Sequence, residues 1–123
     1  MPTEPDPVTL SAVIHRAVEV VDPDGREGLG DLLERFEDDD EPLGPGIAEV
    51  AELRIAEEAG KLDPQQEDAA VTMASAVATY LVYRRDALGT QPAELLTLAA
   101  RAEFDGAPPE LVTRWLGERG VTV

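Results

Sequence analysis

Five consecutive carboxylates, from Glu37 to Glu41, are the densest group of side chains in this chain that could do chemistry. Carboxylate oxygens are the ligands that hard divalent cations prefer, which makes Asp38, Asp39 and Asp40 candidate metal ligands. The EF-hand pattern is absent, because the glycine of the loop-like stretch starting at residue 22 is its fourth residue and not its sixth. A run of acids is also typical of a solvated surface. A carboxylate-based divalent-metal site is therefore an alternative to a surface that meets a cationic partner.

The acidic residues are concentrated in the first half of the chain. Residues 1–68 hold 20 Asp and Glu against 5 Lys and Arg, whereas residues 69–123 hold 6 against 5, for a formal net charge of −16. Such a field repels nucleic acid and anionic membranes and attracts basic proteins. We therefore predict a recognition face for a basic protein partner within residues 22–58. Its candidate contact residues are Glu34, Glu37, Asp38, Asp39, Asp40 and Glu41.

A second candidate activity is DNA reading by the two predicted helices at 92–104 and 108–119. Their order of small residue, turn glycine, buried β-branched residue and buried large residue resembles the helix-turn-helix motif. The residues in question are Ala102, Gly106, Val112 and Trp115. The resemblance implies a regulator whose second helix enters the major groove, with Thr113 and Arg114 near the base edges. The net charge argues against this alternative, because neutralised phosphates supply most of the affinity for DNA.

The chain shows no recognisable catalytic constellation. Cysteine is absent, which excludes thiolate nucleophiles and cysteine-based zinc sites. Ser11 and the single histidine, His15, lie on one predicted helix, which cannot supply the separate base and oxyanion hole of a serine hydrolase. The acids of the second and third predicted helices are loosely similar to the magnesium ligands of all-α nucleotide pyrophosphohydrolases, but the EExxE arrangement of that family is absent. We expect a non-enzymatic interaction or regulatory module without a cofactor.

The elements that must position these groups are helical. From Ala69 to Tyr83 the chain is apolar or small on nearly every side, with only Thr72, Ser75 and Thr79 as exceptions. Such a helix is either buried or spans a membrane, and a span needs about 20 apolar residues. We therefore predict a buried central helix over about 64–88. The predicted fold class is all-α, a single-domain orthogonal or bundle-like array of five to six helices around it.

The faces of the surrounding helices follow from their apolar spacing. The first helix has the clearest stripe, which begins after Thr9 as N-cap and consists of Leu10, Val13, Ile14, Ala17, Val18 and Val21. The predicted buried residues of the other helices are Leu29, Leu32, Leu33 and Phe36 in the second, Ile47, Val50, Ala51 and Ile55 in the third, Leu95, Leu96, Ala99 and Ala102 in the fifth, and Leu111, Val112, Trp115 and Leu116 in the sixth.

Turn and capping residues predict the boundaries. The third helix is expected to run from near Pro45 to Gly60, the fourth to begin at Asp63-Pro64, and Gly89 to cap its end. The predicted organisation is a flexible leader over 1–8 and one helical domain over 9–123, with acidic helices in 9–62 and apolar helices in 63–123. A homodimer built on the 64–88 helix is a further alternative. The N-terminus lacks the pattern of a signal peptide, so we expect a cytoplasmic protein without a membrane partner.

Overall fold

The structure is a computed structural model that describes residues 8–39, 42–43, 46–65 and 67–121. This part of the chain is all-α, as predicted, and its helices pack on one another as a bundle-like domain. In chain order the helices are α1 (Leu10–Val21), α2 (Gly30–Arg35), α3 (Ala48–Leu62), α4 (Ala69–Tyr83), α5 (Pro92–Phe104) and α6 (Glu110–Glu118). A single 3-10 turn, Arg85–Ala87, follows α4.

Helix α4 lies at the centre of the fold. Helices α1, α3, α5 and α6 all pack against it. Ten of its 15 residues are buried, and Met73 and Ala74 are fully inaccessible to solvent. Five of its residues are alanines, which lose no side-chain entropy on burial and let neighbouring helices approach closely. The prediction of a buried central helix is confirmed.

The boundaries of α4 differ from those predicted. The helix begins at Ala69, where the Asp68 carboxylate accepts hydrogen bonds from the backbone N–H groups of Ala70 and Val71. Asp63 instead ends α3, and its carboxylate accepts from the backbone N–H groups of Glu67 and Asp68 in the connecting loop. Both aspartates therefore cap backbone amides, but the sequence signature at Asp63-Pro64 marks the loop and not the helix.

The C-terminal end of α4 is also earlier than expected. Arg84 is the C-cap residue, and its N–H donates to the carbonyl of Tyr80. The chain then tightens into the 3-10 turn before it reaches Gly89, which does not adopt a left-handed φ. The guanidinium of Arg85 donates to the carbonyl of Leu43 and so ties this turn to the loop before α3.

Helix α3 departs most from its prediction. It continues through Gly60 to Leu62, and its buried residues are Ala51, Ile55 and Ala59. The predicted core residues Ile47 and Val50 are exposed. The helix buries a narrow stripe at i, i+4 and i+8 because it contacts α2 on one side and α4 on the other, which leaves its outer face in solvent. The predicted start near Pro45 lies outside the described residues.

Helix α1 and the short helix α2 match their predictions closely. All six predicted stripe positions of α1 are buried, together with Val20, and the Thr9 hydroxyl accepts from the N–H of Ala12 as the predicted N-cap. Leu29, Leu32 and Phe36 are buried around α2, and Leu33 is half-buried. Of the predicted leader, residues 1–7 lie outside the described part, while the carbonyl of Val8 accepts from the N–H of Leu43 at 2.8 Å.

Helices α5 and α6 both pack against α4, and the turn between them forms a corner. Helix α5 ends where Asp105 and Gly106 both take left-handed φ angles, of 52° and 80°. Helix α6 ends in a Schellman motif, in which Gly120 has φ 72° and the N–H of Val121 donates to the carbonyl of Leu116. Ala102 is exposed and Ala100 is buried, so the predicted inner face of α5 was wrong at one position.

The Asp68 cap provides a direct test of where α4 begins. Asp68→Ala removes the side chain that satisfies two otherwise free N–H groups of the first turn, and loss of such a cap costs about 1 kcal/mol of the free energy of unfolding. Urea denaturation should show this loss. Glu67→Ala, which changes a neighbouring exposed acid outside the cap, is the matched control and should leave the midpoint nearly unchanged. Equal effects of the two variants would contradict the assigned cap.

Candidate functional site

Two ion pairs fasten the end of α2 to α3. Arg35 Nη1 lies 2.7 Å from Glu58 Oε2, and the Arg54 guanidinium pairs with Asp39. The guanidinium of Arg54 also lies 5.2 Å from the ring centroid of the buried Phe36, a cation–π arrangement that adds to the contact. These contacts hold the turn after α2 against one side of α3.

The ion pairs divide the predicted acidic contact residues into two groups. Asp39 is half-buried and engaged with Arg54, so it is part of the internal structure. Glu34, Glu37 and Asp38 are exposed and have no cationic partner among the residues that the structure describes. The remaining two predicted contacts, Asp40 and Glu41, lie outside the described residues.

Glu58, which pairs with both Arg35 and Lys61, is held in its charged form. Hydrogen bonds from Arg35 and from Lys61 lower the pKa of Glu58. Glu57 also lies near Lys61, at 3.8 Å. Arg35, Arg54 and Lys61 are thus already paired with carboxylates, and no described cation neutralises Glu34, Glu37 or Asp38.

The outer side of α3 adds an apolar component that sequence reasoning missed. Val50 is 64% exposed and Leu53 is 72% exposed, with Ile47 one turn before them at 38%. These three residues are spaced i, i+3 and i+6, so they follow one another along the solvent side of the helix. We call the combined surface the α2–α3 face. It consists of Glu34, Glu37, Asp38, Ile47, Val50 and Leu53.

The metal-site alternative receives no support from the described residues. Within residues 8–39, 42–43, 46–65 and 67–121, no group of three or more Asp, Glu or His side chains is placed to hold a metal ion. Asp40 lies outside these ranges, so the predicted set of Asp38, Asp39 and Asp40 stays a prediction. His15 is exposed on α1, as expected of a histidine beside the apolar stripe.

The predicted DNA-contact residues lie on the solvent side of α6. Thr113 and Arg114 are both exposed, and Arg114 Nη2 lies 3.2 Å from Glu110 Oε1 one turn earlier. The buried residues of the same helix are Val112, Trp115 and Leu116. The helix-turn-helix alternative stays a prediction, and its principal cation is paired with an acid on its own helix.

The guanidinium of Arg119 stacks on the ring of Trp115 at the C-terminal end of α6. The guanidinium carbon of Arg119 lies 3.6 Å from the ring centroid of Trp115, and its Nη2 lies 2.5 Å from Glu27 Oε1. This contact joins the C-terminal end of α6 to the loop between α1 and α2. The spacing of Trp115 and Arg119, four residues apart at the end of a predicted helix, is a weak sequence signal for this contact.

A cleft lies over α4, between α3 and the corner of α5 and α6. Its volume is about 260 Å³, and most of its wall is apolar or small. The carboxylate of Glu103, near the end of α5, lies at its rim. Burial raises the pKa of Glu103, and the nearby charge of Glu52 raises it further. Glu52 also accepts a hydrogen bond that raises the pKa of Tyr83, at the C-terminal end of α4.

Comparison of the chain with models of known protein families, with curated proteins and with solved structures finds no match. Within the described residues, none of the helices combines the length and the apolarity that crossing a bilayer requires. The α2–α3 face and the cleft are therefore the candidate functional sites of the described residues.

The raised pKa of Glu103 predicts a stability gain on removing its charge. A carboxyl whose pKa is higher in the folded than in the unfolded state stabilises the fold at low pH, and this contribution is lost as the pH rises through the folded pKa. The negative charge of Glu103 near the C-terminus of α5 also interacts unfavourably with the helix dipole. Glu103→Gln should therefore raise the Tm at pH 7 and give a smaller gain as the pH falls below that pKa.

The matched control for this experiment is Glu94→Gln. Glu94 is an exposed acid in the first turn of the same helix, where negative charge is favourable. Thermal melts followed by circular dichroism between pH 3 and pH 8 measure both variants. A lower Tm for Glu103→Gln at pH 7, or an equal gain in Tm for Glu94→Gln, would show that the charge of Glu103 does not destabilise the fold.

Proposed function

We propose that this protein is a non-enzymatic interaction or regulatory module whose α2–α3 face binds a basic protein partner. The observation that carries the proposal is the exposure of Val50 and Leu53 on α3, the helix against which α2 and its following turn pack, together with carboxylates of α2 and that turn that no described cation neutralises. Exposed acids alone are common on protein surfaces, whereas large apolar side chains exposed beside them are typical of binding surfaces.

The chemistry of the face defines the partner. Val50 and Leu53 offer apolar area that stabilises a complex when it is removed from water, and Ile47 extends it by a further turn. Glu34, Glu37 and Asp38 attract lysine and arginine around that area, which speeds encounter and selects the partner more than it adds affinity. An amphipathic basic segment, with apolar residues on one side and cations on the other, satisfies both requirements.

Truncating the apolar part should weaken binding. The probe is an 18-residue amphipathic peptide of Leu and Lys, with a peptide of equal composition but scrambled spacing as reference. Val50→Ser/Leu53→Ser should lower the affinity for the amphipathic peptide about tenfold or more, since tenfold is about 1.4 kcal/mol and burial of one such side chain contributes about 1.5–3 kcal/mol. Fluorescence anisotropy measures this directly.

The control is Ala93→Ser, which alters an exposed apolar side chain on α5, outside both the α2–α3 face and the cleft. It should bind the amphipathic peptide with wild-type affinity. Equal losses for the control and the double variant, or undiminished binding by the double variant, would contradict the assigned face. Equal binding of the amphipathic and the scrambled peptide would contradict the proposed apolar contact.

The charged part should control the association rate and its salt dependence. Glu34→Gln/Glu37→Gln/Asp38→Asn removes three exposed acids from the face, whereas Glu94→Gln/Glu110→Gln/Glu118→Gln removes three from α5 and α6. Stopped-flow measurement between low and high ionic strength should show slower association and a flatter salt dependence for the first variant. An association rate that is insensitive to salt in the wild-type protein would count against electrostatic recognition.

A further inference from the structure

The cleft over α4 is smaller than a pocket for a drug-sized ligand. Such pockets measure roughly 300–1,000 Å³, whereas this one measures about 260 Å³ and suits a ligand of only a few heavy atoms. Its walls come from α3 on one side and from the α5–α6 corner on the other. The side chains that form the apolar part are Ala56, Ala59, Val71, Phe104, Leu111 and Val112.

The floor of the cleft is polar in an otherwise apolar helix. Thr72 and Ser75 are two of the three hydroxyl residues that interrupt the apolar surface of α4, and both are half-buried. They lie three residues apart and therefore on the same side of the helix. The hydroxyl groups can donate or accept hydrogen bonds, so the floor can orient a polar group inside the cleft.

Both of the charged side chains that line the cleft, among the described residues, are acidic. Glu103 and Asp63 line it, and Glu52 lies close enough to Glu103 to raise the pKa of that carboxyl. The two carboxylate oxygens of Asp63 accept backbone N–H groups of the loop before α4. Glu103 has no cationic partner among the described residues, and the residue is exposed enough for a ligand to reach its carboxylate.

We propose that this cleft binds an alkylammonium group, with the ammonium at Glu103 and the alkyl chain against Ala56, Phe104 and Leu111. A cation at the rim would neutralise Glu103 and relieve its repulsion from Glu52. An anion would be repelled by Glu52, Asp63 and Glu103 together. A neutral apolar molecule would cover Glu103 without pairing it, which costs free energy.

Three probes of equal chain length test the head group: n-pentylammonium, n-pentanol and pentanoate. Each is titrated into ¹⁵N-labelled protein, and the backbone amide signals of Thr72, Ser75 and Phe104 are followed. Pentylammonium should shift these signals in a saturable way. Pentanol should bind at least tenfold more weakly and pentanoate should not bind. Equal affinity for pentanol, or no saturable shift with pentylammonium, would overturn the proposal.

Glu103→Gln keeps the size of the side chain and removes its charge. The variant should bind pentylammonium at least tenfold more weakly. Its amide spectrum should remain that of a folded protein, because removal of this charge does not disturb a buried contact. Glu94→Gln, on the same helix but outside the cleft, should bind like the wild type. An unchanged affinity in Glu103→Gln would overturn the assignment of the ammonium to Glu103.

The alkylammonium group could come from a free amine or from a lysine side chain of a bound protein. Lysine blocked at both backbone ends, as the Nα-acetyl N-methylamide, distinguishes the two sources when compared with pentylammonium. Tighter binding of the blocked lysine assigns the cleft to a lysine side chain, and tighter binding of pentylammonium assigns it to a free amine. Failure of both probes to shift the three amide signals would refute the site while leaving the proposed role of the α2–α3 face intact.

Discussion

The burial of α4 against four other helices is the interaction on which the rest of the structure depends. Alanine and valine make up eight of its 15 residues, so its neighbours can approach on several sides without overpacking. The same packing brings the acidic and apolar halves of the chain into one hydrophobic core, which includes Ile14 from the first half and Leu95 from the second. The charge asymmetry along the sequence therefore does not separate two independent units in space.

The small side chains of α4 also account for the cleft. Where Thr72 and Ser75 face the gap between α3 and the α5–α6 corner, they do not fill it as a leucine would. The carboxylates of Asp63 and Glu103 line that gap and make it negatively charged. The α2–α3 face has a different origin, since α3 contacts α2 and α4 but no described element covers the side that bears Val50 and Leu53.

Local sequence patterns predicted the helices whose ends and buried faces depend on residues close together in the chain. Helix α1 has a full apolar stripe and a threonine cap, and α5 is bounded by Pro92 and by the Asp105-Gly106 turn, so their ends were predictable. The start of α4 was not, because Asp63 and Asp68 are both able to cap backbone amides. The helix begins at Ala69 after Asp68 as its N-cap, and the burial of Ala69 and Ala70 in the core favours this choice over Asp63.

The candidate sites were predictable only in part. The exposed acids followed from composition, but the pairing of Asp39 with Arg54 depends on how α2 packs on α3. Val50 was predicted to be buried, since an apolar residue beside Ala51 fits a core stripe as well as a surface position. The cleft at Glu103 joins residues from α3, α4, α5 and α6, and no local pattern contains information about such a long-range arrangement.

Native-state hydrogen exchange tests the central position of α4 most directly. If α4 is the buried element around which the others pack, the amides from Met73 to Ala78 exchange only through global unfolding, and their protection equals the unfolding free energy from urea denaturation. The amides of α6, at the edge of the fold, should exchange faster. Faster exchange in α4 than in α6 would contradict this account of the structure.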